Sequence, residues 1–324
     1  MFSQTLFLKR PALGLAFAAL AAGTSTAQAD FQLSDRYTDR DGDLVADIPE
    51  DESQWRDPDT LVFAYTPVED PAVYADVWSG FLDHMEEVTG KEVRFFPVQS
   101  NAAQIEAMRA GRLHVAGFNT GSNPLAVACA GFRPFAMMAA DDGSFGYEME
   151  IITYPGSGID EVEDIKGKTL THTSETSNSG YKAPTALMAS EFGMTSGEDY
   201  EVDFSGKHDN SILGVANHDY EVATIANSVK ARMLERDVID ADQIEVIYQS
   251  DTFPTTAYGV AHDLKPELQE AIKKAFFDFD WEGTELAEEF GKNGESQFIP
   301  ITFKKHWSVI RQIDAANGVD YQCS

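Results

Sequence analysis

Short apolar runs alternate with longer amphipathic segments from residue 61 onward, and this alternation limits the folds that the chain can adopt. The runs "LVFAY" (61–65), "KEVRFFPV" (91–98) and "LHVAGF" (113–118) are typical of buried strands. The segments between them, 73–90 and 102–111, carry apolar residues at helical spacing and end at glycines. Short strands that alternate with helices predict parallel β-α-β units.

The same alternation continues over residues 164–250, and further helices are predicted around 265–278, 283–291 and 303–315. The chain has 324 residues and contains no long linker or low-complexity tract. Length and pattern together predict two α/β lobes in close contact.

The first 29 residues have the features of an export signal. A basic pair, Lys9-Arg10, precedes an apolar run over 12–22, and Ala27-Gln28-Ala29 has the small-x-small pattern that signal peptidases cut. The apolar run is short for a bilayer span, so we interpret residues 1–29 as a cleaved signal peptide. A short membrane anchor is the alternative. We therefore expect a soluble, exported, periplasmic protein.

The chain is strongly acidic, with 24 Lys and Arg against 54 Asp and Glu and a net charge of −30. Residues 1–29 hold two basic and no acidic residues, so their removal leaves 22 against 54 and a net charge of −32. A field of this sign repels nucleic acid, which we do not expect as a partner. An anion site in such a chain has to use local hydrogen-bond donors and dipoles.

Two cysteines occur, Cys129 and Cys323. Export permits a disulfide, and the number of cysteines is even. We predict that the pair forms a bridge between the C-terminal tail and the first half of the chain. Two free thiols are the alternative.

Residues 30–59 form a polar, acidic N-terminal arm. Four of its carboxylates are closely spaced around a glycine: Asp39, Asp41, Asp43 and Asp47. Closely spaced oxygen ligands of this kind can bind Ca²⁺. The alternative is a solvated acidic turn without a metal.

Polar residues follow several of the predicted strands. Parallel α/β sheets bind ligands at the carboxyl ends of strands, near helix N-termini. The stretches at these ends are Tyr65-Thr66-Pro67, Phe118-Asn119-Thr120, Ser177-Asn178-Ser179-Gly180 and Gly206-Lys207-His208-Asp209. Their hydroxyl, amide and free N–H groups suit a small oxyanion. A flexible loop or a simple helix N-cap is the alternative for the Ser/Asn stretch.

Three segments in this order resemble the substrate-binding proteins of phosphonate, phosphite and phosphate ABC importers (PhnD type): 61–93, 172–188 and 204–225. The most specific element is Ser-x-Ser-Gly-aromatic-x-x-Pro at residues 177–184. A Gly-x-His-Asp element at 206–209 follows at the family's usual distance. The resemblance covers roughly residues 60–310.

The resemblance implies a type II periplasmic-binding-protein fold, in which two α/β lobes are joined by a hinge of two crossing strands. Lobe one would comprise 60–150 and 256–324, and lobe two 151–255, with crossings at 146–154 and 255–262. The ligand would lie in the cleft between the lobes. The implied partner is the membrane permease of an ABC importer, and the protein itself would be a monomer. No cofactor is expected apart from the calcium ion considered for the arm.

For the ligand, the resemblance implies that Ser177, Asn178 and Ser179 hold phosphoryl oxygens and that His208 donates to another oxygen. Asp209 is expected as an acceptor, because a carboxylate fits an anion site only where the ligand brings a proton to share. Phe118 stands where the family usually has Tyr, so only a shape contact is expected from it. Further wall residues are expected to be Tyr65, Asn119, Thr120 and Tyr147. The two tyrosines are alternatively core aromatics.

Members that bind aminoethylphosphonate have carboxylates where this chain has Ser228 (or Asn227) and Thr256. A ligand ammonium would then lack a counter-charge at these positions. We therefore expect phosphite, phosphate or methylphosphonate as the ligand, with a larger phosphonate such as aminoethylphosphonate as the alternative.

An exported hydrolase that uses Ser177 or Ser179 with His208 and Asp209 is the rival from another class. The chain has no Gly-x-Ser-x-Gly elbow, and an Asp next to a His in sequence is poorly placed to orient that ring. No His-Glu-x-x-His zinc motif occurs either. We therefore do not expect an enzyme. A binding protein that serves a membrane sensor shares the same ligand chemistry.

Overall fold

The computed structural model describes residues 31–321 and residue 323. The predicted signal peptide, residues 1–29, lies outside the described residues. Within the described part of the chain, no helix has the length and apolar character needed to cross a bilayer.

The described strands form two sheets. The first has six strands in the order β11-β4-β10-β3-β1-β2, and the second has five in the order β7-β6-β8-β5-β9. The strands are β1 Thr60–Ala64, β2 Glu92–Phe95, β3 Val115–Phe118, β4 Phe132–Ala139, β5 Met149–Thr153, β6 Thr169–His172, β7 Glu201–Phe204, β8 Val222–Ala226, β9 Glu245–Gln249, β10 Ala257–Ala261 and β11 Gln297–Pro300.

Helices connect and cover the strands. They are α1 Tyr74–Val77, α2 Ser79–Thr89, α3 Asn101–Arg109, α4 Asn123–Ala130, α5 Ala183–Ser190, α6 His208–Ala216, α7 Asn227–Glu235, α8 Pro266–Phe277, α9 Glu285–Phe290, α10 Phe303–His306 and α11 Ser308–Ala316. One wide helical turn, Asn178–Lys182, leads directly into α5.

The predicted β-α-β units are present in both sheets. In the first sheet, β1 pairs in parallel with β2 and β3, and α2 and α3 connect these strands. In the second sheet, β6 pairs in parallel with β7 and β8. The helix before β2 ends where the sequence indicates, because Gly90 takes the left-handed conformation (φ 67°) that closes a helix C-terminus.

The chain crosses between the sheets twice, after β4 and after β9. Tyr147 in the first crossing and Phe253 in the second pair as an antiparallel bridge, so the crossings run side by side. The strand that returns, β10, enters the first sheet antiparallel to β3 and β4. This is the two-lobe fold with a double crossing that was predicted. The predicted lobe boundary after residue 150 falls inside β5, all of which pairs within the second sheet.

Lobe one, which contains the first sheet, has an aromatic core. The ring of Trp78 is fully buried and lies 4.7 Å from Phe63, 5.4 Å from Phe81 and 5.5 Å from Tyr258, measured between ring centroids. Lobe two, which contains the second sheet, has an aliphatic core instead, with fully buried Ile151, Ile152, Ile212, Val222 and Ile225. Each lobe therefore has a core of its own, as independent rigid-body movement about a hinge requires.

The predicted disulfide is confirmed. Cys129 in α4 is bonded to Cys323, with their Cα atoms 5.2 Å apart. The bridge ties the C-terminal tail to lobe one. Just before the tail, Asp314 and Asn317 at the end of α11 contact Lys182 of lobe two.

Candidate functional site

A cavity of about 60 Å³ lies between the lobes, beside the two crossings. Residues of both lobes form its wall: Tyr65, Val68, Asn119, Thr120, Gly121, Met138, Gly146, Tyr147, Ser177, Asn178, Ser179, His208, Ala226, Ser228, Val229, Arg232, Thr255, Thr256, Tyr258, Phe290, Asn293 and Glu295.

The turn after β6 supplies the hydroxyl and amide groups of lobe two. Ser177 caps this turn, since its Oγ accepts a hydrogen bond from the Gly180 N–H at 3.0 Å. Ser177, Asn178 and Ser179 are all buried. The first N–H groups of a helical segment have no acceptor within it, so the start of this turn presents backbone donors together with hydroxyls.

A chain of hydrogen bonds holds the turn from behind. The Thr224 hydroxyl donates to the Gly180 carbonyl at 2.8 Å, and Nδ1 of His172 lies 2.8 Å from the same hydroxyl oxygen. Because the single hydroxyl hydrogen of Thr224 is used, Nδ1 of His172 must be the donor. Burial lowers the pKa of His172 to about 4, which keeps this ring neutral. Gly180 is required here, because a Cβ would lie 1.9 Å from Oγ1 of Thr173.

His208 is the first residue of α6 and is buried against the same turn. Its Nδ1 accepts a hydrogen bond from the Ala226 N–H at 3.1 Å, so in the neutral ring the hydrogen is on Nε2. Burial lowers the pKa of His208 to about 4, which keeps the ring neutral near pH 7. His208 is therefore a neutral donor at the cavity wall.

The hydroxyl of Ser177 is directed to the cavity by its neighbours. Its oxygen accepts from the Gly180 N–H and lies 3.3 Å from Nε2 of His208, the nitrogen that carries the hydrogen. A hydroxyl has two acceptor positions and one hydrogen. With both acceptor positions engaged, the hydrogen of Ser177 is left for a ligand. The expectation that His208 donates to a ligand oxygen is not met, because its one N–H points to Ser177.

Tyr147 connects the crossing to this turn. Nδ2 of Asn178 donates to the Tyr147 hydroxyl at 3.3 Å, while Oδ1 of Asn178 is buried without a partner among the described residues. Burial raises the pKa of Tyr147, and hydrogen bonds with Thr120, Asn178 and Ser179 oppose this rise. Tyr147 is therefore a protonated phenol within a polar cluster at the cavity wall.

Lobe one approaches the turn very closely at Gly121. A Cβ on Gly121 would lie 2.3 Å from the carbonyl oxygen of Thr176 and 2.4 Å from the backbone nitrogen of Asn178. Lys182 strengthens this contact, because its Nζ donates to the Gly121 carbonyl at 2.8 Å and pairs with Asp314 at 2.8 Å. The lobes are therefore closed on each other beside the cavity.

Most of the site residues expected from the sequence line this one cavity. They are Tyr65, Asn119, Thr120, Tyr147, Ser177, Asn178, Ser179, His208, Ser228 and Thr256. The cavity lining does not include Phe118, Asp209 or Asn227.

These three residues lie behind the wall for local reasons. Phe118 is fully buried against Phe132, on the core side of a strand whose side chains alternate between faces. Asp209 follows His208 on a helix, where adjacent residues point about 100° apart, and it accepts from the Asp70 N–H of lobe one at 3.2 Å. Asn227 accepts from the Glu148 N–H at 3.0 Å.

Arg232 is buried in the cavity wall but was not among the site residues expected from the sequence. Its guanidinium pairs across the cleft with Glu69 at 3.1 Å and with Glu289 at 3.4 Å, and Arg236 pairs with the same two carboxylates. Burial alone would raise the pKa of Glu69, but the two arginines outweigh it and hold this pKa below its usual value. These ion pairs link the lobes, and Lys292 adds a further contact to Glu289 at 3.4 Å. The one sequence signal that could have identified Arg232 is the position of a charged residue in the apolar stripe of α7.

Glu295 and Asn293 are two further polar wall residues that were not expected from the sequence. They belong to the segment between α9 and β11, and their positions depend on how that segment packs on lobe one. Burial raises the pKa of Glu295 to about 7, although Arg232 opposes the rise. Nδ2 of Asn293 is buried without a partner in the described part of the chain. No local pattern in the sequence marks either residue.

The acidic arm brings three of its four candidate calcium ligands together. Carboxylate oxygens of Asp39, Asp41 and Asp43 lie within 4.8 Å of one another. Asp47 instead pairs with Arg40, at 2.9 Å from its Nε. Calcium binding by the arm stays a prediction.

Comparison with known proteins agrees with this geometry. The family described as "ABC transporter, phosphonate, periplasmic substrate-binding protein" matches residues 63–307. A phosphate-import protein PhnD of Mycolicibacterium smegmatis is 25% identical over 281 residues, which cover 82% of this chain and 85% of that protein. The phosphonates-binding periplasmic protein of Escherichia coli is 24% identical over 260 residues, covering 76% and 75%.

Two solved structures share the fold. A binding protein component of an ABC phosphonate transporter from Pseudomonas aeruginosa has a TM-score of 0.72 at 24% identity, covering 80% of this chain and 86% of that one. PhnD1 from Prochlorococcus marinus in complex with methylphosphonate has a TM-score of 0.71 at 16% identity, covering 82% and 100%.

Proposed function

Since the chain belongs to the family of periplasmic substrate-binding proteins of phosphonate ABC transporters, we propose that it is exported by a cleaved signal peptide and captures a small phosphorus oxyanion. The ligand is phosphite, phosphate or methylphosphonate, bound in the cleft between the lobes. The protein then delivers it to the membrane permease of an ABC importer.

The cluster of neutral donors on lobe two carries this proposal. The Ser177 hydroxyl has both acceptor positions engaged by Gly180 and His208, and His208 is held as the neutral Nε2–H form by the Ala226 N–H. Ser179 and the start of the turn add further donors at the same wall. Hydrogen bonds to a charged acceptor contribute about 1.5–3 kcal/mol each, so a few of them bind an anion tightly without a net positive site.

The size of the cavity supports a small ligand. Phosphite has four non-hydrogen atoms and phosphate and methylphosphonate have five each, whereas aminoethylphosphonate has seven. A cavity of about 60 Å³ favours the smaller of these ligands. Ser228 and Thr256 line this cavity and offer no charge to a ligand ammonium. Glu295 does carry a carboxyl group there, so the case against aminoethylphosphonate rests on volume.

The relatives bind ligands of the proposed class. One carries the name phosphate-import protein, and one structural neighbour holds methylphosphonate. These names support phosphorus oxyanions as the ligand class and leave the choice among the three to experiment.

The geometry at Ser177 opposes the hydrolase alternative. Its oxygen is 3.3 Å from Nε2 of His208, as in a nucleophile and base pair. A general base, however, needs an unprotonated nitrogen facing the hydroxyl. Here the Ala226 N–H donates to Nδ1, which places the hydrogen on Nε2. His208 therefore donates towards Ser177 and cannot take its proton.

Titration calorimetry with phosphite, phosphate, methylphosphonate, aminoethylphosphonate and sulfate tests the proposal. We expect binding of at least one of the first three, with weaker binding of aminoethylphosphonate. Binding of none of the phosphorus ligands would refute the proposed function, and aminoethylphosphonate as the tightest ligand would refute the size argument. Ligand uptake by proteoliposomes that contain the cognate permease separates an importer from a sensor partner.

A further inference from the structure

Glu295 places a carboxyl group in the wall of a cavity that otherwise presents donors. Its backbone N–H donates to the Phe290 carbonyl at 3.3 Å, which fixes the segment before β11. The carboxyl group has no hydrogen-bond partner among residues 31–321. Its neighbour Asn293 also turns a buried, unpartnered Nδ2 to this region. Both side chains therefore have hydrogen-bonding capacity that the protein itself leaves unused.

Among the described residues, no unpaired cation is found to act on Glu295. Arg232 is the positive group that acts on its carboxyl, but Glu69 and Glu289 already pair with it and with Arg236. The other titratable groups that act on the Glu295 carboxyl are the phenols of Tyr65, which follows β1, and Tyr258, in β10. Both are uncharged near pH 7 because burial raises their pKa values. His208 across the cavity is neutral as well.

An ionised carboxylate beside an oxyanion is repulsive unless a proton lies between them. We propose that Glu295 binds the ligand through one shared proton and thereby favours oxyanions that can carry a proton near neutral pH. The proton comes either from a P–OH group of the ligand or from Glu295 itself, and the complex is the same in both cases. This inference rests on the proposed function and names Glu295 as a residue that determines specificity.

Glu295 can either supply the shared proton or accept it from the ligand, because burial raises its pKa to about 7. Near neutral pH, the acid and the carboxylate are therefore both populated. Below this value Glu295 supplies the proton, and above it the ligand has to do so. The ligands differ in whether they still carry a proton above pH 7, which gives each one a distinct dependence of affinity on pH.

Hydrogen phosphate retains a P–OH group well above pH 9, so its affinity should change little between pH 7 and pH 9. Methylphosphonate loses its last proton near neutrality, so its affinity should fall about tenfold for each pH unit above that range. Sulfate carries no proton at any of these pH values and does not titrate. It therefore depends wholly on protonated Glu295, and its weak binding should fall about tenfold for each unit above pH 7.

The test is calorimetry of wild type and Glu295→Gln from pH 6 to pH 9 with phosphate, methylphosphonate and sulfate. Glutamine keeps the size and a donor but has no proton to lose. We expect it to abolish the fall in affinity with pH for sulfate and to weaken that fall for methylphosphonate, which still titrates itself. Glu288→Gln, an exposed change on α9, is the matched control and should match wild type.

Proton uptake gives a second readout. Titration at pH 8 in two buffers of different ionisation enthalpy should show about one proton taken up when sulfate or methylphosphonate binds to wild type. For sulfate, Glu295→Gln should take up none. The inference is overturned if the variant keeps the wild-type pH dependence for every ligand that binds. Tight aminoethylphosphonate binding that is lost in the variant would overturn it too, because Glu295 would then pair with an ammonium. Failure of all ligands in wild type refutes the proposed function instead.

Discussion

The two lobes build the cavity wall in different ways. Lobe two contributes through one continuous turn, Ser177 to Ser179, through His208 at the start of α6 and through residues around the start of α7. Lobe one contributes residues from a larger number of separate segments, among them Tyr65, Thr256 and Glu295. The hydrogen-bonding groups of a turn that caps a helix come from adjacent residues, so the sequence alone can indicate them. A wall assembled from distant segments exists only after the lobe has folded and the cleft has closed.

The largest expected effect comes from preventing this closure. In Gly121→Ala, the new Cβ would lie 2.3–2.4 Å from backbone atoms of the Ser177 turn, and backbone cannot move aside as a flexible side chain can. We expect ligand affinity to fall by up to about a hundredfold, since overpacking of this kind costs about 1–3 kcal/mol. Titration calorimetry measures the loss.

Gly291→Ala is the control, because its φ is −60° and no atom lies within 4 Å of the added Cβ. The melting temperature of Gly121→Ala should stay close to that of wild type, because each lobe keeps its own core. Wild-type affinity in Gly121→Ala would show that the site does not require closure, and the lobe two turn would then bind alone.

This difference between the lobes explains which parts of the fold and of the site could be predicted from the sequence. The strands, the helices and the Ser177 turn follow from periodicity, glycines and N-cap chemistry, all of which are local. Arg232 lies at i+3 from Val229 in the buried stripe of α7, and only the folded structure reveals Glu69 and Glu289 as its partners. Glu295 lies in an irregular segment, where no period indicates which way a side chain points.

A second prediction separates two roles within the turn. Ser177→Ala removes a ligand donor and the acceptor for the Gly180 N–H, whereas Ser179→Ala removes a cavity hydroxyl that caps nothing. Each variant should lose ten- to hundredfold in affinity. Ser177→Ala should lose about 1 kcal/mol more of unfolding free energy than Ser179→Ala, as loss of an N-cap does.

Urea unfolding of both variants, with calorimetry on the same samples, measures the two effects. Equal stability of Ser177→Ala and Ser179→Ala would mean that Ser177 is not the cap. Unchanged affinity in both would remove the turn from the site and with it the contrast between the lobes.

His208 of lobe two and Glu295 of lobe one should also change the stability of the protein with pH in opposite directions. The pKa of His208 falls from 6.5 to about 4 on folding, so the unfolded chain binds more protons and stability is lost as the pH falls from 6.5 towards 4. The loss is on the order of 3 kcal/mol at pH 4. The pKa of Glu295 rises from 4.5 to about 7, so its contribution is present at low pH and is lost as the pH rises through 7.

Urea unfolding of ligand-free protein from pH 4 to pH 9 tests this pair of effects. Glu295→Gln should remove part of the loss between pH 4.5 and pH 7 and leave the acid side unchanged. His172, with a pKa of about 4, contributes to the acid side in the same direction as His208. Identical pH profiles for wild type and Glu295→Gln would show that Glu295 titrates as an ordinary exposed carboxyl group.

The acidic arm is a second case in which adjacent residues predicted a site, and it lies away from the cavity. As in the Ser177 turn, the predicted residues lie close together, since carboxylate oxygens of Asp39, Asp41 and Asp43 converge. Asp39, however, already accepts from the Gly42 N–H at 2.8 Å and the Leu44 N–H at 3.0 Å, and Arg40 holds Asp47. These bonds compete with a cation, so we expect weak binding at most, with stabilisation of about 1.4 kcal/mol at tenfold excess over Kd. Calorimetry with millimolar Ca²⁺ tests whether the arm binds the ion, with Asp41→Asn as the control. No heat in wild type would leave the arm as a solvated turn whose carboxylates serve its own backbone.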